Sequence, residues 1–311
     1  MLKTILLSLL LAAPMFAADA PLWTINDPRG DDNGDGTLQY PMSPDFERGD
    51  LDLLSLAAYA EGGGTKFVAT FARTIRKPER TTIDAIGTSL DQVAHLGFYT
   101  FNLDIYIDTD RVAGSGSKAT LPGRLATIDP ASAWERVVCL TPDPTLARAE
   151  MKRLFVRAAN RKARAERKRG GISDDLRRTL EANIDQYVFF PTSVRVYGPR
   201  IEFFVPNSFL GGPASPKWSY VIAVSGADIV QRTDQQGKLM RSGDSADSLL
   251  ILPVTTGRPV DRFGGGREDD PLEPPLVDIV VPAGADQKKV LSDYDPQNDV
   301  LVQLPGVVPG G

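Results

Sequence analysis

The sequence predicts an all-β fold, a sandwich or barrel of short strands interrupted by one helical hairpin, and three observations carry that reading. Residues 101–107 alternate strictly: Phe101, Leu103, Ile105 and Ile107 share one face, while Asn102, Asp104 and Tyr106 share the other. This period of two marks a half-buried strand. A series of other short runs is separated by turns of Gly, Pro, Asn and Asp, with 28 Gly and 24 Pro in the chain. They lack the regular strand–helix alternation of a parallel α/β sheet. Residues 146–169, by contrast, contain neither Gly nor Pro and are rich in Ala and Arg, as a helix requires.

Taken in order, the chain opens on MLKTILLSLLLAAPMFA, in which Lys3, an apolar run from Ile5 to Leu11 and then small residues read as a secretory signal over residues 1–20. The run is too short for the roughly 20 residues that span a bilayer, and no later segment is long or apolar enough. A soluble, exported protein of the periplasm or extracellular space is expected, with residues 21–311 forming one domain. Leu51–Tyr59 and Lys66–Phe71 are the first strands, followed by residues 101–107 and Trp134–Leu140. After the helices come Gln186–Phe190, Ser193–Tyr197, Arg200–Val205, Trp218–Val224, Leu249–Val254, Val277–Val281 and Val300–Leu304.

The helical insertion covers about residues 145–185. Leu176, Leu180 and Ile184 recur at helical spacing after Gly170-Gly171, and Ser173 stands as the N-cap before Asp174 and Asp175. Residues 148–169 hold ten Lys and Arg against Glu150 and Glu166, a local charge of +8 in a chain of −5. Two readings stay open. The helix is a solvated face lying over its own acidic sandwich, or Arg161, Lys162, Arg164 and Arg167 bind an anionic polymer or an acidic protein partner.

Machinery for catalysis is sparse. His95 is the only histidine and Cys139 the only cysteine, so zinc sites with several N or S ligands are excluded, as is any disulfide within the chain. No Gly-x-Ser-x-Gly frames a nucleophile, and Gly264-Gly265-Gly266 lacks the Lys-Ser/Thr of a phosphate loop. Neither nucleotide nor haem is expected, and nucleic acid is not a partner expected of an exported chain. A carboxylate-based glycoside hydrolase is the enzymatic alternative, but with 40 Asp and Glu the presence of pairs signifies nothing.

Oxygen ligands are better represented. Asp31, Asn33 and Asp35 alternate through a Gly-containing loop at calcium-loop spacing, although position twelve is Met42 rather than the Glu of an EF-hand. Further oxygens would come from Asp27, Asp45 or Asp52. Asp108 and Asp110, at the end of the alternating strand, are candidates for a second Ca²⁺ or for the same one. Tyr40, Tyr106 and Tyr197 are candidate platforms for a sugar ring; the competing reading packs each beneath a loop.

Eight blocks, in order, resemble the C-terminal binding module of glucodextranase-like proteins: GDDNGDGTLQYP (Gly30–Pro41), FERGDLDLLSL (Phe46–Leu56), IYIDTDRVAGSGSKATLPGR (Ile105–Arg124), AWERVV (Ala133–Val138), IEFFVPNSFLG (Ile201–Gly211), WSYVIAVSG (Trp218–Gly226), FGGGREDD (Phe263–Asp270) and VDIVVPAGADQKKVLSDYD (Val277–Asp295). The resemblance implies a two-sheet antiparallel sandwich, immunoglobulin-like or DOMON-like, with a non-catalytic role in cell-wall or polysaccharide association. The family pattern usually has proline where Asp35 stands, so the calcium reading belongs to this loop and is not inherited. Only the signal is expected ahead of the module, so any tethering of an enzyme would act in trans.

Overall fold

The computed structural model describes residues 20–83, 87–166, 171–228, 232–233, 239–240, 249–260, 262–266 and 272–310. The expected signal, residues 1–20, therefore lies outside them but for Ala20. In chain order the strands are β1 (Trp23–Asn26), β2 (Leu53–Glu61), β3 (Gly64–Phe71), β4 (Phe101–Asp108), β5 (Ala126–Ile128), β6 (Arg136–Leu140) and β7 (Val188–Phe189). They continue as β8 (Val194–Tyr197), β9 (Arg200–Pro206), β10 (Ser219–Gly226), β11 (Arg232–Thr233), β12 (Leu239–Met240), β13 (Asp278–Ile279) and β14 (Val302–Leu304). Helices are α1 (Leu90–Val93), α2 (Pro144–Ala165), α3 (Asp174–Tyr187), α4 (Asn207–Leu210) and α5 (Gln287–Leu291).

Two five-stranded sheets dominate, ordered β1-β2-β3-β9-β8 and β13-β10-β4-β6-β7. Their facing residues alternate as the sequence requires and interlock in one core. Leu56, Phe67, Ile201 and Phe203 come from the first sheet, and Leu103, Ile105, Val138 and Ile222 from the second. Phe67 stacks on Phe203 with centroids 5.5 Å apart. Within the first sheet all pairings are antiparallel. The expectation of purely antiparallel sheets fails in the second, where β7 runs parallel to β6 because α2 and α3 form the crossover between them. β14 also lies parallel to β5 in a separate two-stranded piece.

The half-buried expectation for β4 needs correction too, since all eight of its residues are buried. Its polar face lies beneath a second apolar cluster in which Val137, Cys139, Val221 and Ala223 of the sheet meet other elements. Those are Met151, Leu154 and Ile184 of the helices, Ile128 and Val302 of β5 and β14, and Leu291 of α5. Cys139 is buried there. The molecule is thus mostly β, a sandwich with helices laid on one outer face.

The hairpin forms where its signals place it. Asp143 accepts the Leu146 N–H at 2.9 Å ahead of Pro144, and Ser173 accepts the Leu176 N–H. Leu249–Val254, expected as a strand, makes only isolated bridges, Ala227 with Ile251 and Val254 with Phe263. Pro253 has no N–H to give to a ladder. Gln186 and Tyr187 finish α3 rather than begin a strand.

Candidate functional site

Three places in the fold gather groups with chemical potential. The first lies where the two sheets meet at their edges. Asp27 follows β1, its N–H bonded to Leu54 O at 3.0 Å, and Asp52 immediately precedes β2. Asp278 sits in β13, opposite Val224 of β10. The loop carrying Asp31, Asp32 and Asn33 is pinned to β13 by the Gly34 N–H, which donates to Val277 O at 2.9 Å. Gly34 has φ of 59°, and a Cβ there would stand 3.0 Å from Leu276 O, so glycine is what allows this approach. Gln287 of α5 completes the staple, accepting from Ile279 N–H at 2.8 Å and donating to Asp31 O at 2.5 Å.

Asp27, Asp31 and Asp278 each place a carboxylate oxygen within 4.8 Å of the others. One oxygen of Asp278 accepts the Leu53 N–H at 2.7 Å, one of Asp52 accepts the Gly30 N–H at 2.8 Å, and one of Asp32 accepts from Tyr40 Oη and Gly49 N. Both Asp27 oxygens and the Oδ1 atoms of Asp31, Asp32, Asn33, Asp52 and Asp278 are buried and meet no N–H or hydroxyl donor, and the Asp27 and Asp278 carboxyls lie close enough to share a proton. Burial, reinforced by the neighbouring carboxylates, pushes Asp27 up to about 8 and Asp52 to about 6. The same causes raise Asp31 and drive Asp278 well above the carboxylate range.

Of the predicted loop ligands, Asp31 is one of the three and Asn33 follows it on the same loop with a buried Oδ1, but Asp35 does not join them. It instead closes a turn by accepting Thr37 N–H at 2.9 Å and Thr37 Oγ1–H at 2.6 Å. Asp45 is likewise engaged elsewhere, by Ser43 and Tyr99. Asp278 was missed because its carboxylate is supplied by a strand whose pattern reads only as core. Gly264-Gly265-Gly266 has a packing role: Gly264 bridges Gln39, and a Cβ on Gly265 would lie 2.1 Å from Thr37 O.

The second place is the end of β4. Asp108 and Asp110 do come together, with Glu135 as a third carboxylate within 4.8 Å. Most of its oxygens are satisfied. Asp108 accepts the N–H of Asp110 and of Arg111, Asp110 accepts from Val112 and Ser115, and Glu135 accepts twice from Thr109. Only Glu135 Oε1 is buried and unpartnered. Burial raises Asp108 and Glu135. Asp278 pairs across from Val224, which faces Leu103, so Asp108 is five residues further along β4. At ~3.4 Å per residue that is about 17 Å, and the two places do not merge.

The third is a cleft of about 540 Å³ between the hairpin and the second sheet. Met151, Phe155, Ile184 and Tyr187 form its helical wall, and Leu121 and Trp134 the opposite one, with Glu135, Arg136 and Asn183 supplying polar groups. Phe155 and Tyr187 are each 40% exposed. Arg136 lies over the Tyr187 ring and donates to Phe209 O at 2.8 Å, which fixes its side chain. Sequence reasoning missed this cleft because its walls come from separate segments.

The candidate tyrosines divide. Tyr106 is buried, receiving the Leu121 N–H at 3.0 Å and lying beside Asp104, so it cannot present a ring to a sugar. Tyr40 is half-buried with its hydroxyl on Asp32 and its ring edge-on to Phe263. Tyr197, on the outermost strand β8, is 45% exposed. Arg161, Lys162 and Arg164 are exposed near the far end of α2, and Arg167 lies outside the described residues. Nearer the base, Arg148 and Lys152 both pair with Asp185 of α3, so part of the basic charge is answered within the hairpin and not by the sandwich.

No described helix is long and apolar enough to cross a membrane. A search of curated proteins finds no match. The family model for the C-terminal, SLH-like binding module of glucodextranase matches residues 22–305, which takes in both sheets, the hairpin and all three places described. The chain belongs to that glucodextranase C-terminal binding-module family.

Proposed function

We propose that this protein is an exported, non-catalytic module that binds cell-envelope or extracellular polysaccharide, and that the hairpin cleft is where the glycan lies. The family match carries the reading, because the matched family is itself a binding module. The cleft supports it: its volume of about 540 Å³ falls in the range of ligand sites, roughly 300–1,000 Å³. Tyr187 and Phe155 offer apolar ring surface to a pyranose, and Asn183 offers hydrogen bonds to its hydroxyls. In its fuller form, residues 21–311 act as one immunoglobulin-like or DOMON-like unit associated with the cell wall, its loops stiffened by Ca²⁺. Pull-down on α-glucans and envelope polymers, followed by calorimetry with the best binder, tests the reading. Retention by at least one polymer, weakened in Tyr187→Ala, is expected; no retention by any polymer refutes it.

A second reading rests on the exposed cations of α2. Arg161, Lys162 and Arg164 project near the end of the hairpin, where an acidic protein partner could dock while the sandwich serves as scaffold. Replacing the three by Ser would then abolish partner capture and leave glycan binding intact.

A further inference from the structure

We propose that Asp27, Asp31 and Asp278 hold a calcium ion that fastens the two sheets together along their edges. The inference is independent of which glycan the module binds. Asp27 leaves β1 and Asp278 belongs to β13, and β1 and β13 are the edge strands of the first and second sheets. An ion shared by their carboxylates therefore bridges one sheet to the other. The Leu53 N–H to Asp278 hydrogen bond already crosses the same gap.

Three observations point to a cation there rather than to an ordinary acidic turn. Asp278 is wholly buried, yet its Oδ1 meets no N–H or hydroxyl donor and only the Asp27 carboxyl lies beside it, and Asp32 and Asp52 also carry a donorless Oδ1 at 0% and 2% exposure. A buried carboxylate without a counter-charge is strongly disfavoured, and no Lys or Arg of the described residues makes an ion pair with Asp27, Asp31 or Asp278. The geometry is also fixed in advance, because the Gln287 side chain and the Gly34 N–H hold the loop against β13 through its backbone atoms and leave the Asp27 oxygens and the Oδ1 atoms of Asp31 and Asp278 facing no donor. Donor chemistry selects the ion. Every candidate ligand is an oxygen, with Asp32, Asn33 and Asp52 adding further unpartnered oxygens in the same region. Such a set of carboxylate and amide oxygens suits the six to eight ligands and flexible geometry of Ca²⁺ better than the strict octahedron of Mg²⁺.

The test uses the full chain, stripped with chelator and then titrated with CaCl₂ in calorimetry and thermal melts, with MgCl₂ as comparison and no sugar present. One Ca²⁺ per chain is expected, with the melting temperature raised by about 5 °C or more at a hundredfold excess over Kd. Asp27→Asn, at a half-buried position, should weaken binding at least tenfold, and Asp278→Asn should abolish it. Asp35→Ala should bind as the parent does. Because Asp278→Asn can fail to fold, the Asp27→Asn result stands on its own. Absence of heat and of any melting shift at millimolar Ca²⁺ overturns the proposal. So does unchanged affinity in Asp27→Asn, which would place the ion elsewhere, for example at Asp108, Asp110 and Glu135. Neither result bears on polysaccharide retention, so the two readings fail separately.

Discussion

Asp104 and Asp278 are buried carboxylates in the same sheet, separated only by β10, and the chain treats them in opposite ways. Asp104 faces Arg124, which donates to it at 2.7 and 3.1 Å and also to Pro122 O, Leu249 O and, weakly, Cys139 Sγ. Asp278 has one backbone N–H and two further acids, Asp27 and Asp31. The first carboxylate brings its counter-charge within the sequence; the second is arranged as though the counter-charge comes from outside. A buried acid is thus informative about function only after its partners have been counted.

The comparison is broken most severely by removing the internal cation. Arg124→Met strands Asp104 in the apolar layer and should destabilise the protein by about 3–5 kcal/mol in urea unfolding, with no recovery on adding Ca²⁺. The double variant Asp104→Leu/Arg124→Met should regain most of that loss, since replacing a buried pair by apolar side chains is often neutral; continued instability would mean that the pair's hydrogen bonds to Pro122 and Leu249 matter more than its charge.

Next in size is the pH response of the chelated protein. Asp27, raised to about 8, and Asp52, raised to about 6, bind protons in the folded state that the unfolded chain releases near pH 4. Folding stability of the metal-free form is therefore greatest at low pH within this window and falls as pH rises from about 4 to about 8. Lys288 and Arg29 act on Asp31 and Asp52 in the opposite direction but are outweighed by burial. Saturating Ca²⁺ should flatten or reverse the slope, measured as melting temperature at pH 5 and pH 8; a metal-free protein equally stable at both contradicts the description of the cluster.

Smaller effects separate the remaining surfaces. Tyr187→Ala in the cleft should lower glycan affinity about tenfold, while the exposed position keeps the stability change near 0.5 kcal/mol. Asp110→Ala should cost at most about 1 kcal/mol, because it removes only exposed turn hydrogen bonds to Val112 and Ser115. A melting shift with Ca²⁺ that vanishes in Asp110→Ala would transfer the ion to the end of β4.

What the sequence disclosed follows from the range of the forces concerned. Strict alternation located β3, β4, β9 and β10, and the hairpin was marked by a run without Gly or Pro and by the Ser173 cap, because these signals are local. The alternation of Trp23 and Ile25 could have revealed β1 in the same way. Full burial of the polar face of β4 was not visible, since the layer covering Tyr106 and Asp104 is assembled from α2, α3, α5 and β14. The acidic loop drew notice through Asp31 and Asn33, but spacing within a loop could not distinguish Asp35, which turns onto Thr37, from Asp31, which joins the cluster, nor summon Asp278 from a distant strand.

The contact between Leu53 and Asp278 spans 225 residues of chain, and that between Gln287 and Asp31 spans 256. A ribosome delivering this polypeptide from its amino end completes β1, β2 and β3 long before either partner has been synthesised. The acidic loop must wait in an unfinished state until residues 278 and 287 have been translated. The seam between the sheets is accordingly the last stitch, and a truncation that spares nearly nine-tenths of the sequence but removes residue 278 onward would leave the sandwich unfastened along that edge.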